Sequence, residues 1–131
     1  MASRNIDDLV LELQKLYWKF SFAMAKVGLT FMVTCTERSQ EEQDELYAQG
    51  RTKPGRKVTW TRKSRHIRGE AFDIAIVKGG KPCWDPKVDV NNDDIPDYDQ
   101  AGKIGESVGL AWGGLFGTPD RPHFELKRKE A

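Results

Sequence analysis

Histidine is scarce in this chain: His66 and His123 are the only two among 131 residues. Any site that needs two imidazoles must therefore use both. Cysteine is equally sparse. Cys35 and Cys83 stand far apart, which excludes a disulfide scaffold and reads as two free thiols in a reducing cytosol. Neither has a second cysteine or a histidine at close spacing, so zinc ligation by cysteine is not expected. No long hydrophobic run is present. The most apolar stretch, Phe20 to Val33, is too short to span a bilayer and is broken by Lys26. A net charge of only +1 argues against a dedicated nucleic-acid binder.

What is there is an ordinary globular composition, with 38% hydrophobic and 31% charged residues, enough to bury one core without disulfides. Asp7, Asp8 and Glu12 occupy the place of a basic leader region. The expectation is a protein made in the cytoplasm without a signal peptide, a monomer of one domain over residues 1–131.

The periodicity of Ile6, Leu9, Val10, Leu13, Leu16, Tyr17, Phe20, Met24 and Val27 predicts an amphipathic helix over 5–27, capped by Asn5 and stopped at Gly28. Thr30 to Thr36 reads as a strand that delivers Glu37 and Arg38 to its end. Ser39 with Glu42 forms a capping-box pattern that starts a short helix ending near Gly50. Residues 51–68 carry eight Lys or Arg and no acidic residue. This is either a solvated loop or a local positive field for an anionic surface, with Trp60 placed to stack on a ligand. Glu70 to Val77 predicts a buried strand, Lys78 to Lys81 a turn, 97–108 a helix, 110–112 a short strand and 123–126 a final strand.

Between them lies an acidic loop. Its Asp89-x-Asn91-x-Asp93 spacing matches the start of a calcium loop, but Asp94 stands where glycine is required and Gln100 where glutamate is. The loop therefore reads as a polar lead-in to a helix.

The chemistry gathers around Ser64 to Asp73 and Asp120 to Glu125. Zinc takes nitrogen and oxygen donors and, at a catalytic site, three protein ligands with a fourth position for water. A turn at Gly69 followed by a strand would return Asp73 to His66, and His123 would arrive from the last strand. A histidine near an aspartate is common, and by itself reads as a hydrogen-bonded surface pair.

Taken jointly and in order, however, Ser64-x-His66-x-x-Gly69-x-Ala71-x-Asp73 followed by Asp120-x-Pro122-His123-x-Glu125 resembles the signature of the VanY/VanX-type zinc D-alanyl-D-alanine peptidases. Within that family the chain is most similar to the phage L-alanyl-D-glutamate endolysins. The block Glu37-Arg38-Ser39 through Gly50-Arg51 and the block Trp112-Gly113-Gly114 extend the resemblance over about residues 30–127.

The resemblance implies an α+β domain of the hedgehog/D-Ala-D-Ala-peptidase type, a small antiparallel sheet with helices packed on one side. It implies zinc held by His66, Asp73 and His123. It makes Asp120 the catalytic acid and base, Arg38 the group facing the substrate carbonyl, and Ser64 and Trp112 substrate contacts. Glu125 shares a strand face with His123 and is the rival base, or else a group that orients a ligand. Structural alternatives are an Arg38 ion pair with Glu37 or Asp44, a turn-forming Asp120, and a Trp112 that is plain core. The implied substrate is the stem peptide of peptidoglycan, with no nucleic acid and no membrane span. The absent leader, the single domain and aspartate at 120 point to an endolysin that reaches the wall after release by a separate factor.

Overall fold

A computed structural model describes residues 2–59 and 61–128, so Trp60 lies outside the described residues. Five strands form one antiparallel sheet. They are β1 (Phe31–Cys35), β2 (Ala71–Lys78), β3 (Lys81–Cys83), β4 (Leu110–Trp112) and β5 (His123–Leu126). The order is β1-β2-β5-β4, with β3 paired to the far end of β2 through the Gly79-Gly80 turn. The helices are α1 (Leu11–Lys26), α2 (Gln40–Ala48) and α3 (Asp97–Val108). The expected α+β architecture is therefore the observed one. No helix among the described residues is long and apolar enough to cross a membrane.

Period-two alternation divides the sheet into two faces. Phe72, Ile74 and Ile76 of β2 and Phe124 of β5 face the helices and are completely buried. Leu13, Phe20 and Met24 of α1 close over them, each contributing roughly 1.5–3 kcal/mol by burial. α3 approaches the same face through two glycines. A Cβ at Gly105 would lie 2.5 Å from the Phe124 ring, and one at Gly102 2.2 Å from the Trp112 ring. Asp73, His123 and Glu125 alternate with these core residues and so share the opposite face.

The first helix departs from expectation. Asn5 caps only a single 3-10 turn, Ile6–Asp8, and the chain is extended at Leu9 before α1 begins. The reason is tertiary. The Val10 N–H donates to the Gly69 carbonyl at 3.0 Å, tying the N-terminal segment to the turn that carries His66. Gly69 must be glycine there, because its φ is +67° and a Cβ would stand 2.7 Å from the Asp8 carbonyl.

The expected capping box forms in full. Ser39 Oγ accepts from the Glu42 N–H, and the Glu42 carboxylate accepts from the Ser39 N–H.

Candidate metal centre

Strand register assembles the site. Asp73 pairs with His123 and Ala71 with Glu125 across β2 and β5, which puts all three side-chain carriers Asp73, His123 and Glu125 on the open face. On the other side of β2, an irregularity between Val33 and Cys35 sets Cys35 opposite Asp73, where a regular ladder would set Thr34. A bulge of this kind re-aims side chains. Here it turns Cys35 toward the site and presents the Thr36 carbonyl to His66.

His66 lies in a 3-10 turn, Arg65–Arg68, capped by Ser64, whose Oγ accepts from the His66 N–H at 3.2 Å. The imidazole is buried. Its Nδ1 is 2.7 Å from the Thr36 carbonyl, which can only accept, so Nδ1 carries the proton. Nε2 is then the nitrogen whose lone pair is open to a proton or a metal ion. It lies 3.2 Å from Asp73 Oδ2 and has no other partner. His123 is arranged the other way round. Its Nε2 is 2.9 Å from Glu125 Oε1, and its Nδ1 is 2.9 Å from Asp73 Oδ1. Two imidazole nitrogens thus flank one carboxylate, their rings 5.1 Å apart.

This arrangement fits a divalent metal. A buried nitrogen facing a carboxylate oxygen needs a proton or a metal cation between the two lone pairs. The other nitrogen of each ring is held by an oxygen acceptor, as is usual for metal-ligating histidine. Donor atoms of Asp73, Asp120 and His123 lie within 4.8 Å of one another. Cys35, His66 and Asp73 form a second group at the same spacing. That thiol was not expected near a metal; strand pairing brings it there. However, Cys35 Sγ is 3.5 Å from His66 Nδ1, the nitrogen already bonded to Thr36, so we favour Nε2 and the histidine pair.

The electrostatics follow from the same contacts. Burial disfavours the cationic form of His66, but Asp73 and Cys35 beside it outweigh burial and lift its pKa to about 10. Burial likewise opposes charge on His123, yet Asp73 and Glu125 raise its pKa to about 9, with His66 pulling the other way. Burial would raise Asp73, but the two histidines hold its carboxyl well below the usual carboxylate range.

Both histidines rise from 6.5, so their contribution to stability is complete below that pH and is lost as pH climbs through 9 and 10. Asp73 falls from 3.8, so its contribution is present above that pH and is lost below it. Stripped of metal, the protein is expected to be most stable between about pH 4 and 6.5. A thermal unfolding midpoint that stays flat from pH 6.5 to 10 would contradict this.

The remaining site residues fall into two groups. A cleft of about 380 Å³ is lined by Arg38, Lys63, Ser64, His66, Asp73, Asp120, His123, Glu125 and Arg128, with others. Asp120 stands at its open side. Burial of the carboxyl and the negative charge of Asp73 push its pKa up, while His123, His66 and Arg38 pull it down. Arg38 makes neither of the ion pairs considered from sequence. Its Nη1 donates to Gln43 Oε1 at 2.7 Å and its Nη2 to Cys35 Sγ at 3.4 Å. Glu125 is buried, with one oxygen on His123 and the other 3.6 Å from Arg65.

Trp112 is not among the cleft residues. Its ring packs on Gly102 and Gly114, and its Nε1 donates to the Arg121 carbonyl at 2.8 Å. It thereby holds the turn that presents Asp120, which is a positioning role. Gly113 serves the same turn: its carbonyl accepts from the Asp120 N–H at 2.8 Å. A Cβ on Gly113 would stand 2.3 Å from the Asp120 carbonyl and 2.9 Å from His123 Cβ. Gly113→Ala is expected to cost about 1–3 kcal/mol through overpacking and to weaken metal uptake. A lowered melting midpoint with weaker metal binding in competition with a chelator checks both.

Sequence reasoning missed Gln43, which is fully buried. Its Nε2 donates to the Thr61 carbonyl at 2.6 Å while its Oε1 holds Arg38. One side chain therefore joins the arginine to the basic loop. A glutamine on a short helix rich in acidic residues carries no signal of this role in sequence. The same loop is further tied to α2 where Gln40 Nε2 donates to the Arg62 carbonyl. Arg65 leaves the loop's positive field, since it pairs with Glu70 and Glu125.

Comparison with known proteins bears on the family and the fold. Residues 57–126 match the family described as D-alanyl-D-alanine carboxypeptidase. The chain is 40% identical over 108 residues to the peptidoglycan L-alanyl-D-glutamate endopeptidase CwlK of Bacillus subtilis, a match covering 79% of this chain and 65% of that relative. The chain thus spans about two thirds of the curated relative's length, a little under. In three dimensions it resembles the L-Ala D-Glu endopeptidase ChiX of Serratia marcescens, with a TM-score of 0.71 and 22% identity, over 97% of this chain and 89% of that one. At that identity the likeness is one of fold.

Proposed function

The chain belongs to the D-alanyl-D-alanine carboxypeptidase family, and from that premise we propose that it is a zinc peptidase cutting the L-alanyl-D-glutamate bond of peptidoglycan stem peptides, in the role of a phage endolysin. The observation that carries the reading is the pair of imidazole nitrogens turned on Asp73, one of them buried with no partner but that carboxylate. Two nitrogens and a carboxylate are the donor set of a catalytic zinc site. The residues that would hold the metal are His66, Asp73 and His123. When bound, zinc supplies a Lewis acid that makes water acidic enough to attack at neutral pH.

The chain's own residues supply the rest. Asp120 takes a proton from the attacking water and delivers it to the leaving amine. Its upward-shifted pKa suits that exchange, because an acid-base catalyst works best near the ambient pH. Glu125 is spent on His123 and Arg65, which supports it as the group orienting His123 rather than as the base. Arg38, held in place by Gln43, faces the carbonyl oxygen as negative charge develops there. Ser64 lines the cleft beside the scissile bond, and Trp112 acts through the Asp120 turn.

Lys63 and Arg128 on the cleft wall suit a substrate that carries carboxylates. One domain, acting as a monomer, is the catalytic unit. In the endolysin role it is made in the cytoplasm and meets the wall once a separate factor lets it through.

The relative named for the L-alanyl-D-glutamate bond favours that bond, while the family description favours removal of terminal D-alanine. Digestion of purified peptidoglycan with zinc-loaded protein, followed by mass spectrometry, separates them. New N-terminal D-glutamate supports the endopeptidase. Released D-alanine supports the carboxypeptidase instead. No product at all leaves a non-catalytic, wall-binding homologue.

A further inference from the structure

The loop between β3 and α3 lies apart from the cleft, and none of its residues lines that cleft. It carries three carboxylates, Asp89, Asp93 and Asp97, each with an oxygen within 4.8 Å of the others. Among the described residues none of the three pairs with a lysine or arginine. Asp89 and Asp93 are partly or fully exposed, as loop aspartates usually are. Asp97 is different.

Asp97 opens α3 and is completely buried. Its Oδ2 accepts from the Val90 N–H at 2.8 Å, and its Oδ1 has no partner. A buried carboxylate oxygen with no donor carries the full cost of lost hydration unless a positive charge meets it. Asp97 looks onto Asp89 and Asp93, so the charges that surround it have the wrong sign. Burial pushes its pKa up, with Asp89 and Asp93 adding to the rise against the Val90 N–H. Asn91, between them, donates from Nδ2 to the Val27 carbonyl and leaves its own buried Oδ1 unpartnered.

We propose that this loop is a calcium site whose protein ligands include Asp89, Asp93 and the buried Asp97. The donors are all oxygen, which suits a hard cation and not zinc, whose sites draw on nitrogen or sulfur. One of the two departures that argued against calcium from sequence loses its force. Glycine is demanded after the fifth loop position for a left-handed backbone, and Asp94 supplies that conformation itself, with φ +64°. Aspartate is one of the few residues that tolerates it. The ninth position of such a loop is a ligand position, and Asp97 fills it. Gln100 in the twelfth position withholds the bidentate glutamate. The site is therefore weak, with a Kd on the order of 10⁻⁴–10⁻³ M, the range of extracellular calcium modules. Magnesium, which demands near-ideal octahedral geometry and keeps its waters, fits a loop of spaced carboxylates less well.

The test is a calcium titration of the full chain, with equimolar zinc present, followed by amide NMR. The expected result is saturable shifts clustered in residues 88–98, with a melting midpoint that rises with calcium. Asp93→Ala, at an exposed position, is expected to leave the fold intact and to weaken binding by about tenfold or more. Asp97→Asn should do the same, and a spectrum unchanged outside the loop would show that this variant folds. Shifts that do not saturate, shifts centred on His66 and His123, or unaltered binding by Asp93→Ala would each overturn the site. An equal response to magnesium would overturn the choice of calcium.

Discussion

Asp120→Asn is expected to leave metal binding in place and to lower turnover of peptidoglycan by about 10²–10⁴-fold, the usual worth of a positioned acid-base group. The substitution keeps the shape of the side chain and its N–H bond to Gly113, which is made by the backbone. It removes only the capacity to carry a proton. The sign of the stability change separates this from damage to the fold. The Asp120 pKa is raised above 3.8, so the ionised side chain is disfavoured in the folded state at neutral pH. That cost vanishes as pH falls below 3.8. Asp120→Asn should therefore match or exceed the parent's melting midpoint at pH 7. Retained turnover would move the base role to Glu125 or elsewhere, and a lower midpoint would mean that the carboxylate is structural.

Asp73→Ala is expected to have the larger effect on metal. Asp73 is flanked by both histidines, at 3.2 Å from His66 Nε2 and 2.9 Å from His123 Nδ1. Removing a group that merely orients a ligand costs about 10–100-fold in affinity, so removing a donor should cost about 100-fold or more. Dialysis against a graded chelator measures this directly. The variant also removes the charge that holds up both imidazole pKa values. Its metal-free form should lose the stability maximum in mildly acidic solution. Unchanged metal retention by Asp73→Ala would overturn the site, since Asp73 belongs to both donor groups.

Much of this was legible in the chain. The pattern Phe72, Ile74, Ile76 alternating with Asp73 already implies a strand with one greasy and one chemical face. The capping pair Ser39 and Glu42 marks a helix start wherever it occurs, because the bonds are local. Other features were out of reach. Helical periodicity carried the first helix back to residue 5, but a hydrogen bond from Val10 to Gly69 stops it at Leu11. Tertiary pairing of this kind leaves no local trace. Cys35 read as remote from every histidine, and only the bulge in β1 sets it beside His66. Trp112 read as a substrate contact, yet its packing on Gly102 and Gly114 makes it a brace for the Asp120 turn.

With only two histidines available, the chain itself dictated which imidazoles any metal site must use. It also dictated the α+β order of elements, since period two, period 3.6 and turn glycines are properties of neighbouring residues. The tertiary structure decided which nitrogen of each ring is offered. That choice rests on what holds the other nitrogen: the Thr36 carbonyl for His66 and the Glu125 carboxylate for His123. It likewise decided that Asp97, one aspartate among many in an acidic loop, is buried with an oxygen unanswered. Burial and hydrogen-bond direction depend on what the fold brings together, and sequence spacing cannot express them.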